Sequence, residues 1–366
     1  MAMDISEVYS AEALVAYYTA LKNGGDMHYQ FIGEKLFPAL KRKGLKLDFI
    51  KGFHGAPCEL RPSALDTTAF VRPRIPVNEN STKIPFFKEA MKFTEQERQE
   101  LTDTLRVHGD DENFINGLMR HYYRQYSDLL AGSDVDCEKM RMSLLAYGKI
   151  DIVWNKDGSN INEEFNFDTT GSWATNNTHT LTGTSTWTDA NKATSDPIKD
   201  IVDCIKDHRI KNGVITTRLL MNSETFSRIA QSDSVKKAIK PLGGTVLEGE
   251  VETFLKNATK AEIILNDAIY KNASGANTKY YPDGKVSLLP AYTLGYTNYG
   301  TSPTEFDILN GDNNLHSHGM YNEGVCVYTN KTVDPVNIKT VVEMLALPSF
   351  EEMDSVYVLN AFEPAA

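Results

Sequence analysis

The feature that most constrains this chain is a pair of extended, proline-containing runs, residues 69–77 and 84–93, joined by a polar segment. Apolar residues alternate with polar ones along both runs, at Ala69, Val71, Ile75 and Val77 and then at Phe87, Met91 and Phe93. A two-residue period is typical of a β-strand with one apolar face. Because Pro73, Pro76 and Pro85 cannot donate ladder hydrogen bonds, neither run can lie in the middle of a sheet. The sequence therefore predicts a long hairpin, which at about 3.3 Å per residue extends roughly 30 Å.

A two-stranded ribbon of this kind is marginal in water, since it has no core of its own. Its apolar face must be covered by something else, and the expected cover is a neighbouring subunit. The residues that we expect at this subunit interface are Val71, Ile75, Val77, Phe86, Phe87 and Met91. A hairpin that packs on a neighbouring subunit indicates a protein that assembles from many copies.

The composition is that of a globular protein, with 366 residues, 41% hydrophobic and 24% charged. The formal net charge of −11 argues against nucleic-acid binding as the main function, because contacts with phosphate need clustered Lys and Arg. One basic cluster is present near the N-terminus, at Lys35, Lys41, Arg42, Lys43, Lys46 and Lys51. We interpret this cluster as a solvated face, and the alternative is a contact for an acidic partner.

Four cysteines, Cys58, Cys137, Cys204 and Cys326, stand far apart without paired spacing. This indicates reduced thiols rather than a zinc site or a disulfide framework. The first 21 residues carry acids where a secretory signal needs positive charge, and no apolar run approaches the length of a membrane span. We therefore expect a soluble protein made in a cytoplasm, with no membrane partner.

An N-terminal helix is predicted at residues 8–21, where apolar side chains form a helical stripe. The stripe stops just before Gly24 and Gly25, which are candidates for a hinge because glycine adopts backbone angles that strain other residues. Since no local partner for the stripe is evident, we expect this helix to dock elsewhere.

The strongest helical segment is residues 114–147, where apolar side chains recur every three or four positions. Gly132 interrupts the pattern and Gly148 ends it, which predicts one long helix, either continuous or broken. Thr94 and Glu97 have the spacing of a capping box and predict an earlier helix start.

Strands alternate with helices in the rest of the chain. Residues 149–167 predict a β hairpin that turns at Asp157 and Gly158. Asp196 and Pro197 begin a segment typical of an α/β sheet with helices packed on it. From residue 325 the pattern is again that of strands, which we expect to pair with the 149–167 hairpin. The predicted fold class is therefore mixed, α+β with an inserted α/β unit.

No motif predicts an active site. His316 and His318 invite a metal, but no third ligand is marked beyond Asp312 and Glu323, and a solvated loop is the favoured interpretation.

Two carboxylate pairs do not indicate a catalytic site either. Asp134 with Asp136 is explained by a helix N-terminus, and Glu163 with Glu164 by a strand edge, without acid/base chemistry. We expect no cofactor and no enzymatic activity.

The chain resembles the major capsid proteins of tailed bacteriophages, in the family of the phage lambda major capsid protein E. The resemblance covers nearly the whole chain and depends on the order of the hairpin 69–93, the helix ending in Leu144-Leu-Ala-Tyr-Gly148, and the segments 282–290 and 293–307. It implies the Hong Kong phage type capsid fold, with an N-arm, an extended E-loop, a peripheral domain carrying a spine helix, and an axial domain.

The resemblance also implies a domain organisation. The N-arm would be residues 1–36, the E-loop 65–93, the axial domain 195–323, and the peripheral domain 37–64 and 94–194 with C-terminal strands in 324–366. The inserted domain would reach the centre of each capsomer through polar loops, for which Asn277 and Asn313 are the candidate subunit contacts.

The implied function is a head protein that self-assembles into hexamers and pentamers of an icosahedral shell around double-stranded DNA. The implied partners are further copies of the chain, a scaffolding protein and a portal during assembly, a decoration protein, and packaged DNA bound without sequence specificity. The location would be the virion capsid, assembled in the bacterial host cytoplasm. The alternatives are a metal-dependent hydrolase that uses His316 and His318, and a phage surface or tail adhesin.

Overall fold

The computed structural model describes residues 10–24, 31–50, 79–108, 112–156, 159–311, 315, 317–333 and 336–363. The chain divides into two compact units, each made of several segments. The first unit comprises Met1–Asp48, Ser81–Met140 and Tyr296–Ser349, and the second comprises Phe49–Asn80, Arg141–Gly295 and Phe350–Ala366.

The helices of the described residues are α1 Ala11–Gly24, α2 Glu95–His108, α3 Glu112–Tyr147, α4 Ser172–Asn176, α5 Pro197–Asn212, α6 Ser223–Gln231, α7 Asp233–Ile239, α8 Glu248–Thr259 and α9 Pro303–Leu309. The strands are β1 Ala39–Lys41, β2 Lys46–Ile50, β3 Glu79–Lys83, β4 Phe86–Thr94, β5 Lys149–Lys156, β6 Ser159–Asn166, β7 Thr178–Thr180, β8 Arg218–Met221, β9 Glu262–Leu265, β10 Ile269–Lys271, β11 Asn277–Lys279, β12 Lys285–Leu289, β13 Thr297–Tyr299, β14 Ser317–Tyr321, β15 Val325–Val333, β16 Val336–Pro348 and β17 Tyr357–Asn360.

The first unit is built around a six-stranded sheet. Its strands lie in the order β1-β13-β16-β15-β14, and β4 pairs with the stretch of β16 that β13 leaves open. All neighbours are antiparallel except β1 and β13. The buried apolar residues of β15 and β16 include Val325, Val327, Val341, Val342, Met344, Leu345 and Leu347. These two long strands therefore supply much of the unit's core.

The long helix α3 is continuous through Gly132, so the interruption in the pattern does not break it. It ends at Tyr147 because Gly148 adopts a left-handed φ of 70°. A Cβ atom at Gly148 would lie 2.7 Å from the ring of Trp173, so that this position requires glycine for packing as well. The residues of α3 up to Met140 belong to the first unit and the remainder to the second.

Two predicted helix starts are confirmed by their caps. The Thr94 amide donates to the Glu97 carboxylate at 2.8 Å, and Glu97 N donates back to the Thr94 hydroxyl. The Asp196 side chain accepts from the amide of Lys199, with Pro197 at the first helical position of α5.

The second unit contains a five-stranded mixed sheet in the order β7-β17-β12-β8-β9. Helices α5, α6, α7 and α8 share one hydrophobic core with this sheet, with fully buried members such as Ile201, Leu219, Val251, Leu255 and Val286. This unit also contains two antiparallel two-stranded ribbons, β5-β6 and β10-β11. A further two-stranded pairing joins β2 and β3.

The expected pairing of the C-terminal strands with the 149–167 hairpin is wrong. The strand β16 joins the sheet of the first unit, β17 joins β12 and β7 in the second, and β5 and β6 pair with each other alone among the described strands. The reason is that a two-residue period specifies which face of a strand is apolar but not which edge it joins. In addition, β13 and β14 hydrogen-bond to β16 and β15, although the sequence assigned them to a different domain from those strands.

Candidate assembly surfaces

The strand β4 contains three of the six apolar residues that the sequence predicts at a subunit interface. It pairs with β16 along nine positions, from Phe86 opposite Leu345 to Thr94 opposite Asn337. The expectation that residues 84–93 have no support from their own chain is therefore wrong. Phe86, Phe87 and Met91 are half-buried, so each keeps a part of its side chain exposed.

The other three predicted residues, Val71, Ile75 and Val77, lie outside the described residues. Pro85 directly precedes β4, and among the described strands β4 pairs only with β16, so it lies at an edge of the sheet, where proline is tolerated.

An ion pair between an exposed lysine and a buried acid joins β4 to the sheet. The Glu343 side chain is fully buried, and its carboxylate lies 3.1 Å from the Lys88 ammonium on β4. The Thr304 amide donates to the other carboxylate oxygen at 3.0 Å. Burial lowers the pKa of Lys88, but hydrogen bonds to Tyr328 and Glu343 outweigh this effect and hold the pKa above its ordinary value. The sequence gives no sign of this pair because its members lie far apart in the chain.

The N-terminal helix α1 packs on strands β14 and β15 of its own chain. Ala11, Leu14 and Tyr18 are buried, and the Ala11 amide donates to the Ser317 hydroxyl at 2.8 Å. The helix approaches β14 closely, because a Cβ at Gly319 would lie 3.2 Å from the carbonyl oxygen of Ala11. The helix therefore docks away from its own part of the sequence, on strands about 306 positions further along the chain.

The position of the expected hinge is described only in part. Gly24 is the last residue of α1, and Gly25 lies outside the described residues.

A buried cluster around Asp134 joins α1 to the long helix and the sheet. The Asp134 carboxylate accepts from the hydroxyls of Tyr18 at 2.9 Å and Tyr321 at 2.7 Å, and lies 3.3 Å from the Lys22 ammonium. Burial and the neighbouring Asp134 carboxylate raise the pKa of Tyr321 well above its usual range, so it remains a neutral donor. Asp134 lies within α3 rather than at a helix N-terminus, which corrects the sequence interpretation of this acid.

The loop predicted to reach a capsomer axis is the turn of the β10-β11 hairpin. Asn277 is exposed and pairs with Lys271 at the turn end of the ladder. The Asn272 side chain accepts from the amides of Ser274 and Ala276 and so orders the turn. Asn277 is therefore presented by a defined hairpin rather than by an irregular loop.

The second predicted contact, Asn313, lies outside the described residues. Its segment, 310–319, belongs to the first unit and ends in β14, whereas Asn277 belongs to the second unit.

The histidines considered for a metal are not supported as a site. His316 lies outside the described residues, and His318 lies on β14 opposite Tyr328. Where the structure describes the chain, no three His, Cys, Asp or Glu side chains come together as metal ligands. A helix long and apolar enough to cross a membrane is likewise absent from the described part.

Comparison with known proteins identifies the family. The model of the family "Phage major capsid protein E" matches residues 63–360. A search of curated proteins gives no match.

Solved structures with the same fold include a phage-related protein from Bordetella bronchiseptica RB50, at 15% identity and a TM-score of 0.55, covering 95% of this chain and 98% of that one. The putative capsid protein of a prophage from Escherichia coli CFT073 is similar at 11% identity and a TM-score of 0.52, covering 95% and 99%. These likenesses show the fold, which is the Hong Kong phage type capsid fold. Because the family model spans most of the sequence, the chain belongs to the phage major capsid protein E family.

Proposed function

We propose that this chain is the shell subunit of a tailed phage, with one sequence forming both hexamers and pentamers of an icosahedral shell around double-stranded DNA. The observation that carries this proposal is the family match over residues 63–360. The mixed architecture around a long helix and an antiparallel sheet supports it.

The first unit is proposed as the peripheral domain, because it contains the sheet and most of the long helix. The second unit is proposed as the axial domain, and its segments, Phe49–Asn80, Arg141–Gly295 and Phe350–Ala366, differ from the predicted residues 195–323. The exposed β10-β11 turn with Asn277 is then a candidate contact around the capsomer axis, and it is polar as an adaptable ring contact requires.

The half-buried residues of β4 and the run before it are proposed as the E-loop. Phe86, Phe87 and Met91 keep exposed apolar surface on an edge strand, which a neighbouring copy would remove from water at about 25 cal/mol per Å². Residues 69–77 carry the alternating apolar pattern that fits the same neighbour.

The proposed partners beyond further copies are a scaffolding protein, a portal, a decoration protein and packaged DNA. The net charge of −11 suits a wall that contains DNA without binding it tightly. Assembly is proposed to take place in the host cytoplasm, and the mature location is the virion.

A deletion of residues 69–77 tests the arm. It leaves β4 in place, whereas a deletion through residue 93 would also remove an edge strand of the sheet. We expect the variant to remain a folded single chain, about 1 kDa lighter than the 40.9 kDa intact chain, that sediments slowly, while the intact protein sediments as shells. A matched control replaces the two prolines and two arginines of this run, Pro73, Pro76, Arg72 and Arg74, but keeps Val71, Ile75 and Val77. Normal shells from the deletion variant would refute the role of the arm.

A further inference from the structure

The β5-β6 hairpin is one of three isolated two-stranded ribbons among the described strands. All eight residues of β5 pair with β6, and neither strand bonds to a third strand in the described part of the chain. A lone two-stranded hairpin is marginal in water unless other structure covers it. Its apolar face therefore needs a partner.

The uncovered part of that face lies toward the turn. Ile150 opposite Phe165 is buried at the base, and Ile152 is also buried, whereas Ile161 is 49% exposed further along the same face. Glu163 lies opposite Ile152 on this face and is exposed.

The two acids of this strand differ in their pairing. Glu164, on the opposite face, forms an ion pair with Lys149 at 2.6 Å. Glu163 forms no ion pair with any residue that the structure describes. The hairpin thus presents an exposed isoleucine beside an unpaired carboxylate.

A positively charged surface lies in the first unit, at the turn between β1 and β2. We call it the basic turn (Lys43, Gly44, Leu45 and Lys46). Lys43 and Lys46 are exposed and have no ion-pair partner within the described ranges, and Leu45 between them is 53% exposed. The sequence from Lys35 to Leu47 contains five cations and no acid, in a chain whose net charge is −11.

The basic turn is held in a fixed conformation. The Leu45 carbonyl accepts from the Ile84 amide at 3.0 Å, and the Gly44 carbonyl accepts from the Thr301 amide at 3.4 Å. Gly44 has a φ of 95°, which favours glycine at this position. A surface fixed in this way can bind without first losing much conformational entropy.

We propose that the exposed part of the apolar face of the β5-β6 hairpin, through Ile161 and Glu163, docks on the basic turn of a second copy of this chain. The proposal rests on the proposed function, in which many copies meet. Charge complementarity supports the choice of occupant, because an unpaired carboxylate beside an apolar side chain matches unpaired lysines on either side of Leu45. Contact between unlike surfaces of successive copies is the kind that closes rings. The exposed leucine fits a protein face better than it fits nucleic-acid phosphates.

Disulfide trapping tests the contact directly. Ile161→Cys and Leu45→Cys are combined in one chain, the shells are oxidised, and the products are separated on a denaturing gel without reductant. We expect a ladder of linked copies from the double variant and single-copy bands from each single variant. A single-copy band of altered mobility would mean that the two residues meet within one chain, and unlinked chains would mean that they do not meet; both results overturn the proposal.

Charge reversal supplies an independent readout. We expect Glu163→Lys and Lys46→Glu each to reduce the yield of shells at least tenfold, and the two changes together to restore it. Asn162→Lys, next to Glu163 but on the other face of the hairpin, is the matched control and should assemble normally.

Absence of shells from the unchanged protein would refute the proposed function. Shells from the unchanged protein and equally from Glu163→Lys would overturn only the hairpin contact. The double variant Lys43→Glu with Lys46→Glu tests nucleic acid as the partner, with bound nucleic acid measured by the absorbance ratio at 260 and 280 nm. If this variant forms normal shells that have lost bound nucleic acid, the basic turn binds nucleic acid and the proposal is overturned.

Discussion

Replacing Lys88 by methionine tests whether β4 belongs to the sheet of its own chain. The Glu343 carboxylate would remain fully buried with the Thr304 amide as its remaining donor. Removing one partner from a buried ion pair costs about 3–5 kcal/mol, because the other charge is left uncompensated. The Lys88 side chain is 44% exposed, so solvent screens the pair and we expect a loss of about 2 kcal/mol. That is roughly a thirtyfold change in the unfolding equilibrium constant.

The assay is urea unfolding of the unassembled protein. Lys92→Met, an exposed lysine four positions along the same strand, is the matched control and should change stability by less than about 0.5 kcal/mol. Lys88→Met with Glu343→Met should recover most of the loss, since a buried pair is often replaceable by apolar residues. If Lys88→Met behaves like Lys92→Met, the ion pair does not form within one copy and the reasoning is wrong.

Three further predictions concern single residues and the stability of the unassembled protein. Burial lowers the pKa of His208 from 6.5 to about 4, so as the pH falls the unfolded chain binds a proton before the folded chain does. The stability that this provides is fully present above pH 6.5 and should fall by about 3 kcal/mol toward pH 4. His208→Gln should flatten this pH dependence, measured by urea unfolding at several pH values. Burial raises the pKa of Asp136 from 3.8 to about 6, so stability falls as the pH rises through this interval, and Asp136→Asn should stabilise the protein by about 3 kcal/mol at pH 8 but not at pH 4. Gly148→Ala combines the strain of a positive φ with a Cβ atom 2.7 Å from the Trp173 ring and should lower the free energy of unfolding by about 3 kcal/mol. The control Gly171→Ala has nearly the same φ but open space around the Cβ, and should lower it by about 1 kcal/mol. Equal losses of stability would contradict the packing argument.

Local chemistry made the helices predictable. The end of α3 at Gly148, the capping box at Thr94 and the cap at Asp196 follow from residues within a few positions of each other. The hairpin at β5 and β6 was predictable for the same reason, since its turn and both strands are adjacent in sequence.

Pairing between distant segments was not predictable from the same patterns. The alternation in β4 indicates an apolar face, but the nine-residue ladder with β16 depends on a strand more than 240 positions away. The docking of α1 on β14 is similar, because it depends on the small residue Gly319 and on buried donors to Asp134. Buried charges such as Glu343 have no sequence signature, since an acid in a strand is usually exposed.

Electron microscopy of the purified protein, negatively stained, tests the central claim most directly. As a shell subunit, the protein should appear as closed particles of uniform diameter, with rings of five and six copies where shells have opened. The account would be contradicted if the protein appeared only as single compact chains of about 41 kDa. This result counts at concentrations where capsid proteins assemble and in the presence of a scaffolding protein.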